Sequence, residues 1–216
     1  MGMKQILLMI AMVVSFSVMA DEVVFKDRAL GEAVARKLKK PAGKFLPPPK
    51  FTKAELKDIT SLSLTNTKIT DLGLKELAKL KNLNRLYLED TKITDEGLKG
   101  LTKLQKLTDL DLEGTNITDE GLKQVAKLQK LEWLSLKVTQ ITDAELKELA
   151  NLQSLRQLYL SDTQITDAGF KELVKLQKLV TLYLDKTKVT KEGVVELRKA
   201  LPKCNVWAPD PLRGTP

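Results

Sequence analysis

The segment "DLDLE" places three acidic residues, Asp109, Asp111 and Glu113, at alternate positions. If this segment is a strand, the side chains of neighbouring acids lie about 6.6–6.8 Å apart on one side of it. That spacing falls within the range of the two acids of an inverting glycosidase, and grouped carboxylates are also calcium ligands. Any solvent-facing strand with alternating acids meets the same spacing, so the pattern does not by itself indicate a catalytic or metal site.

The composition excludes several kinds of site. The 216 residues include no histidine and one cysteine, Cys204. An imidazole base, an intrachain disulfide and a zinc site made of cysteine and histidine are therefore excluded. We predict no catalytic residue, no cofactor and no metal site, and we interpret Cys204 as a partly buried, unreactive thiol.

A period of 24 residues organises most of the chain, and it defines the positions of the acids. A leucine pair recurs, and each pair is followed by a phrase such as "TKITDEGLKGL"; the pairs are Leu62/Leu64, Leu86/Leu88, Leu110/Leu112, Leu134/Leu136, Leu158/Leu160 and Leu182/Leu184. This pattern is typical of leucine-rich repeats. The predicted fold is an α/β leucine-rich-repeat solenoid, a right-handed coil with a parallel concave sheet and convex helices.

The chain divides into five predicted parts. Residues 1–20 read as a signal peptide, because a short charged start with Lys4 precedes an apolar stretch from Ile6 to Val18 that is too short to span a membrane. Cleavage is predicted after Ala20. A helical N-terminal cap at 21–58, six repeats at 59–202, a half-repeat at 203–208 and a disordered tail at 209–216 follow. The signal peptide predicts export to the periplasm or the extracellular space.

Polar side chains at fixed positions are predicted to cap helices and to bridge turns. Asp27 is expected to cap the first helix, while Thr52 with Glu55, and Thr142 with Glu145, read as capping boxes. One threonine per repeat is expected to donate a hydrogen bond to a carbonyl of the neighbouring turn; these are Thr67, Thr91, Thr115, Thr139, Thr163 and Thr187.

The N-terminal part resembles the helical cap of internalin-type bacterial leucine-rich-repeat proteins. The resemblance rests on residues spread over about forty positions: Phe25, Asp27, Leu30, Ala33, Val34, Leu38, Gly43, Thr52, Leu56, Ile59 and Leu62. From about Val24 to Val206 the chain resembles secreted bacterial leucine-rich-repeat proteins. The resemblance implies a non-enzymatic recognition module.

The register of the leucines sends aromatic and acidic side chains to the concave side. We predict that a protein partner binds there through Tyr87, Asp109, Asp111, Trp133, Tyr159 and Tyr183, since exposed Tyr and Trp dominate binding energetics. Arg85 is expected to pair with Asp109. The alternative ligand is a carbohydrate or cell-wall polymer that stacks on the aromatics, and a structural alternative is that the tyrosines merely stiffen the sheet.

The net charge of +8 comes from lysines that are predicted to lie on the convex helices. They alternate with glutamate and aspartate, which is typical of a solvated helix surface, although contact with an anionic surface is a second possibility. We predict no nucleic-acid partner, because the interleaved acids and the expected export both disfavour one.

Overall fold

The computed structural model describes residues 22–43 and 46–208. The predicted signal peptide, residues 1–20, and the predicted tail, residues 209–216, lie outside these ranges and stay predictions. The division of residues 21–208 into a cap, six repeats and a half-repeat likewise stays a prediction.

Within the described residues, one parallel sheet contains seven strands in the order of the chain. The strands are β3 Ser61–Ser63, β4 Arg85–Tyr87, β5 Asp109–Asp111, β6 Trp133–Ser135, β7 Gln157–Tyr159, β8 Thr181–Tyr183 and β9 Asn205–Trp207. Each strand pairs in register with the next, so that Leu62 lies beside Leu86 and Leu182 beside Val206. The leucine period thus predicted both the strands and their register.

The connections between strands contain the helices. These are α3 Asp71–Glu76, α4 Asp95–Leu101, α5 Asp119–Val125, α6 Leu146–Leu149, α7 Phe170–Leu173 and α8 Lys191–Ala200, with 3-10 turns at Leu77–Lys79 and Asp167–Gly169. The helices are short because a repeat of 24 residues must hold a strand, a helix and two loops. Leucines spaced along each helix, such as Leu98 and Leu101, are buried against the sheet.

A single hydrophobic core runs from Phe25 to Ala208. The central leucine of each strand from Leu62 to Leu182 is at most 2% exposed, because it lies between the sheet and the helices. No repeat can bury this side of its strand alone, so each one depends on its neighbours.

The N-terminal segment packs against the first repeat, and its buried apolar side chains belong to the same hydrophobic core. Strand β1 (Glu22–Val23) pairs antiparallel with β2 (Phe51–Thr52), and helices α1 (Arg28–Lys37) and α2 (Lys53–Lys57) lie between β1 and β3. Asp27 caps α1 through Leu30 N–H, as predicted. The capping box of Thr52 and Glu55 is confirmed as well.

An aspartate–threonine ladder joins successive repeats. The aspartate at the start of one helix accepts the N–H and the hydroxyl of the threonine that precedes the next helix; for Asp95 and Thr118 the distances are 3.0 and 2.6 Å. The same pair of bonds occurs at Asp71–Thr94, Asp119–Thr142, Asp143–Thr166 and Asp167–Thr190. Asp27 begins the ladder by accepting both groups of Thr70, which attaches the N-terminal segment to the first repeat.

The threonines that were predicted to donate to a carbonyl of the neighbouring turn have a different hydrogen-bond acceptor. Thr91 Oγ1 donates to Leu88 O at 2.7 Å, which lies in its own repeat and three residues earlier. Thr67, Thr115, Thr139, Thr163 and Thr187 do the same. These hydroxyls tighten the turn after each strand, and the aspartate–threonine ladder makes a side-chain contact that recurs between successive repeats.

The capping box predicted at Thr142 and Glu145 does not form. Thr142 Oγ1 donates to Asp119 and accepts from Ala144 N–H, and α6 begins only at Leu146. The corresponding residue in other repeats is glycine, and a Cβ on Gly97 would lie 2.3 Å from the carboxylate of Asp71. Glu145 carries the side chain that this approach excludes, and no 3-10 turn precedes α6, whereas Asp167–Gly169 forms one directly before α7.

Candidate functional site: the open face of the sheet

The side of the sheet that faces away from the helices carries three columns of side chains. We call this surface the open sheet face. The middle column is fixed by the strand register and contains Ser63, Tyr87, Asp111, Ser135, Tyr159, Tyr183 and Trp207. The column before it contains Ser61, Arg85, Asp109, Trp133, Gln157, Thr181 and Asn205, and the column after it contains Thr65, Glu89, Glu113, Lys137, Ser161 and Asp185. All six predicted binding residues lie on this face.

Four aromatic side chains form a continuous line over β6 to β9, which we call the aromatic row. The ring centroids of Trp133 and Tyr159 are 5.2 Å apart, those of Tyr159 and Tyr183 4.6 Å, and those of Tyr183 and Trp207 5.8 Å. The last two pairs are nearly parallel, with interplanar angles of 11° and 9°. Tyr87 lies apart from the row, because Asp111 and Ser135 separate it from Tyr159 in the middle column.

Stacking fixes the orientation of these rings. Tyr183 has one neighbour on each face, so its edge and hydroxyl are the parts available to a ligand. Tyr159 donates its hydroxyl hydrogen to Gln157 Oε1 at 3.1 Å. Trp207, at the edge strand, is 46% exposed. Rings held in this way lose little further conformational entropy when a partner binds, which favours tight contact.

A group of carboxylates lies at and just after the ends of β4 and β5, beside the aromatic row. We call Glu89, Asp90, Asp111 and Glu113 the acidic patch. Glu113 forms an ion pair with Lys137 at 3.0 Å, and Asp111 Oδ1 accepts Glu113 N–H at 3.1 Å. The patch therefore holds four carboxylates and one nearby ammonium group.

Burial and mutual repulsion disfavour charge on two of these acids. Desolvation raises the pKa of Asp111 above its ordinary value of 3.8, and the charge of Glu113 adds to that increase. Desolvation likewise raises the pKa of Glu89, with further contributions from Asp111, Glu113 and Asp90. The hydrogen bond to Glu113 is the main cause of the raised pKa of Lys137. An additional cation at the patch would relieve the repulsion among the acids.

Asp109 does not pair with Arg85 as predicted. Its Oδ2 accepts the hydroxyl of Thr108 at 2.6 Å. Among the described residues, no ion pair within 4.0 Å joins Asp109 to Arg85, although the two residues are neighbours in register. A hydroxyl on the adjacent residue reaches the carboxylate with less loss of side-chain freedom than a long arginine on another strand.

Two residues of the fourth repeat depart from the pattern of the others. Ser135 is only 1% exposed, and its Oγ makes no hydrogen bond within the described structure. This Oγ nevertheless lies close enough to Asp111 to lower the pKa of that carboxyl. Val138 has a φ of 53° and is 51% exposed, whereas the equivalent positions hold Asn66, Asp90, Gly114, Asp162 and Lys186. Left-handed backbone is costly for a β-branched residue, so Val138 is an exposed, strained apolar side chain at the rim of the open sheet face.

Other kinds of site find no support among the described residues. No group of three or more Cys, Asp or Glu side chains in residues 22–43 and 46–208 is arranged to hold a metal ion. Over the same ranges, every helix is too short or too polar to cross a bilayer. Burial raises the pKa of the Cys204 thiol to about 11, which agrees with the interpretation of an unreactive residue.

Comparisons with known proteins agree with this architecture. A family described as "Leucine rich repeat" matches residues 105–165, and a second family with the same description matches residues 56–78 and 79–101. The protein is a leucine-rich-repeat solenoid. No curated protein sequence matches the chain.

Two solved structures of leucine-rich-repeat proteins are similar to this solenoid. Internalin C2 from Listeria monocytogenes is 29% identical over 90% of this chain and 94% of its own, with a TM-score of 0.64. A leucine-rich-repeat protein from Leptospira interrogans is 32% identical over 70% of this chain but only 38% of its own, with a TM-score of 0.57. Leucine-rich-repeat proteins are generally non-enzymatic recognition modules, and their fold is typical of protein interaction.

Two exposed apolar residues of this solenoid are not among the predicted binding residues. The register places Trp207 in the middle column, and the structure shows that it completes the aromatic row. Val138 is the second residue. Its signal is present in the sequence, because valine stands where other repeats have asparagine, aspartate, glycine or lysine.

Proposed function

We propose that this protein is an exported, non-enzymatic recognition module that binds a protein partner through the open sheet face, which is the concave side of a leucine-rich-repeat solenoid. The aromatic row is the observation on which the proposal depends. Trp133, Tyr159, Tyr183 and Trp207 form one contiguous, partly exposed aromatic surface of the kind that dominates interface energies. Tyr87, Asp109 and Asp111 extend the surface toward the first repeats.

The stacking geometry favours a protein over a carbohydrate. A sugar ring that stacks on tyrosine uses the face of the aromatic ring. The facing sides of Tyr159 and Tyr183 cover each other at 4.6 Å, and Trp207 covers the other side of Tyr183. The exposed edges and hydroxyl groups suit side-chain and backbone groups of a polypeptide instead.

Export is the second part of the proposal. It rests on the charged start, apolar stretch and small residue at Ala20 within residues 1–20. In a periplasmic or extracellular compartment, the partner is a protein of that compartment or of a surface exposed to it. The mature N-terminus of the purified protein is the direct check: cleavage after Ala20 is expected, and an intact Met1 would contradict it.

A cross-linking pull-down from the native compartment tests the binding surface. Three baits are used: the wild type, the double variant Tyr159→Ala with Tyr183→Ala, and Leu72→Ala. Leu72 is a matched control, because it is 55% exposed and precedes Gly73 in α3, on the helix side. We expect the wild type and Leu72→Ala to capture the same protein and the double variant to lose it. Equal capture by all three baits would contradict the proposal, provided that thermal unfolding shows all three to be folded.

A further inference from the structure

The acidic patch and the aromatic row meet at the fourth repeat. Asp111 and Trp133 lie on neighbouring strands, and Ser135 follows Asp111 in the middle column. Neighbouring strands are about 4.8 Å apart. A single side chain of a bound partner could therefore touch the acids and the first rings of the aromatic row at once.

The patch has more negative charge than its own cation balances. Lys137 reaches Glu113, while Glu89 makes no ion pair within 4.0 Å among the described residues. Charges that are partly withdrawn from water gain more from a new opposite charge than fully exposed ones do.

Ser135 supplies an independent observation at the same place. Its buried Oγ has no hydrogen-bond partner among the described residues, and it lies beside the carboxylate of Asp111. A buried hydroxyl without a partner costs free energy, and an N–H donor that displaces the atoms covering it would recover part of that cost. An arginine or lysine side chain brings such donors together with the charge that the patch lacks.

We propose that the protein partner inserts an arginine or lysine side chain between Glu89, Asp111 and Glu113, over Ser135, and that large apolar residues next to it contact Trp133 and Tyr159. This inference rests on the proposed function, because it specifies the chemistry of the partner at the same face. Arginine fits especially well, since its planar guanidinium can pair with two carboxylates while its stem and face lie on an aromatic ring.

A library of random eight-residue peptides displayed on phage tests the inference even while the partner is unidentified. Selection is carried out against the purified wild-type protein. We expect the recovered peptides to be enriched in arginine or lysine next to a large apolar residue. Replacing that cation by glutamine in a synthetic peptide is expected to weaken binding about tenfold or more.

Variants of the protein locate the contact. Glu89→Gln combined with Asp111→Asn is expected to weaken binding of the cationic peptide by a similar factor. Binding of the glutamine peptide is expected to stay unchanged. Asp185→Asn is the matched control, because it removes a negative charge from the same column three strands from Glu113. A change within about twofold is expected there; an equal loss at Asp185 would mean long-range attraction and would overturn the inference.

The two proposals fail in different ways. If the recovered peptides require Tyr159 and Tyr183 but are not enriched in cations, or are insensitive to the acidic substitutions, the cation inference is wrong while the open sheet face remains the binding surface. If capture is unchanged by Tyr159→Ala with Tyr183→Ala, or if no recovered peptide depends on those residues, the proposed function is contradicted and the cation inference with it.

Discussion

The aspartate–threonine ladder and the open sheet face have the same 24-residue period but differ in what they repeat. Along the ladder, every aspartate from Asp71 to Asp167 accepts the same two groups of a threonine in the next repeat. Across the open sheet face, equivalent positions change from serine to tyrosine, aspartate and tryptophan. Repeated chemistry joins the repeats, whereas varied chemistry is available to distinguish a ligand.

Buried carboxyl groups near the start of the ladder and on the open sheet face have pKa values shifted in opposite directions. At the junction of the N-terminal segment and the first repeat, burial would raise the pKa of Glu76, but hydrogen bonds from Lys79 and the Asp27 N–H outweigh it, and the pKa is lowered. On the open sheet face, the pKa of Asp111 is raised because desolvation outweighs its partners. Satisfied carboxylates stabilise the solenoid, whereas the charge of Asp111 costs stability.

Breaking the ladder is expected to have the largest effect on stability. Asp95→Ala removes the acceptor of Thr118 N–H and of its hydroxyl, at an expected cost of about 1–3 kcal/mol in the free energy of unfolding. Asp185→Ala, on the open sheet face, is the matched control, with an expected change within about 0.5 kcal/mol. Urea unfolding measures both. Equal losses of unfolding free energy at Asp95 and Asp185 would contradict the view that the ladder stabilises the fold more than the open sheet face does.

The position along the ladder sharpens this test. Thr190 lies in the last repeat, and its bonds to Asp167 are exposed, while those of Thr118 are partly buried. Asp167→Ala is therefore expected to cost less than Asp95→Ala, because water can replace the lost acceptor.

Val138→Asn is expected to act in the opposite direction, with a smaller effect. Asparagine tolerates left-handed backbone better than valine does, so the free energy of unfolding should rise by about 1 kcal/mol and Tm by about 2–4 °C. The reverse substitution at the equivalent position of the first repeat, Asn66→Val, should cost a similar amount. If Val138 contacts the partner, Val138→Asn also weakens capture of the partner. A stabilised variant with unchanged capture would show that Val138 takes no part in binding.

Asp111→Asn is expected to give the smallest change, and one that depends on pH. The pKa of Asp111 is raised in the folded protein, so its charge destabilises the fold above that pKa, and the penalty disappears as the pH falls toward 3.8. The variant should be more stable than the wild type by up to about 0.5 kcal/mol at pH 7, and no more stable below pH 3.8. Thermal unfolding over this pH range measures the difference. A gain that grows on acidification would contradict the raised pKa.

Much of the fold follows from sequence spacing, because each leucine of the period must face the same interior. The register of Leu62 to Leu182 is therefore sufficient to place Tyr159 and Tyr183 on the open sheet face. The ladder is harder to predict, because an aspartate after an N-cap threonine is already explained by the helix dipole. The last full repeat carries a better signal of the ladder. Lys191 stands there in place of the aspartate, and no further complete repeat follows within the described residues to accept such a contact.

Local patterns failed where a neighbouring repeat decides the conformation. The Thr142–Glu145 spacing satisfies the capping-box pattern, yet Asp119 of the preceding repeat takes the Thr142 hydroxyl. That competition depends on three-dimensional proximity, which a sequence pattern does not contain. The failure at Asp109 has a local cause: Arg85 is adjacent in register, yet Thr108, the preceding residue in the chain, donates to the carboxylate.

The affinity of the captured partner for the open sheet face is the most direct test of the account. Calorimetric titration compares the wild type with Tyr159→Ala plus Tyr183→Ala and with Leu72→Ala, at matched salt and with folding checked for each protein. Kd is expected to rise at least about 100-fold for the double variant and by less than about twofold for Leu72→Ala. An unchanged Kd for a folded double variant would contradict recognition through the aromatic row.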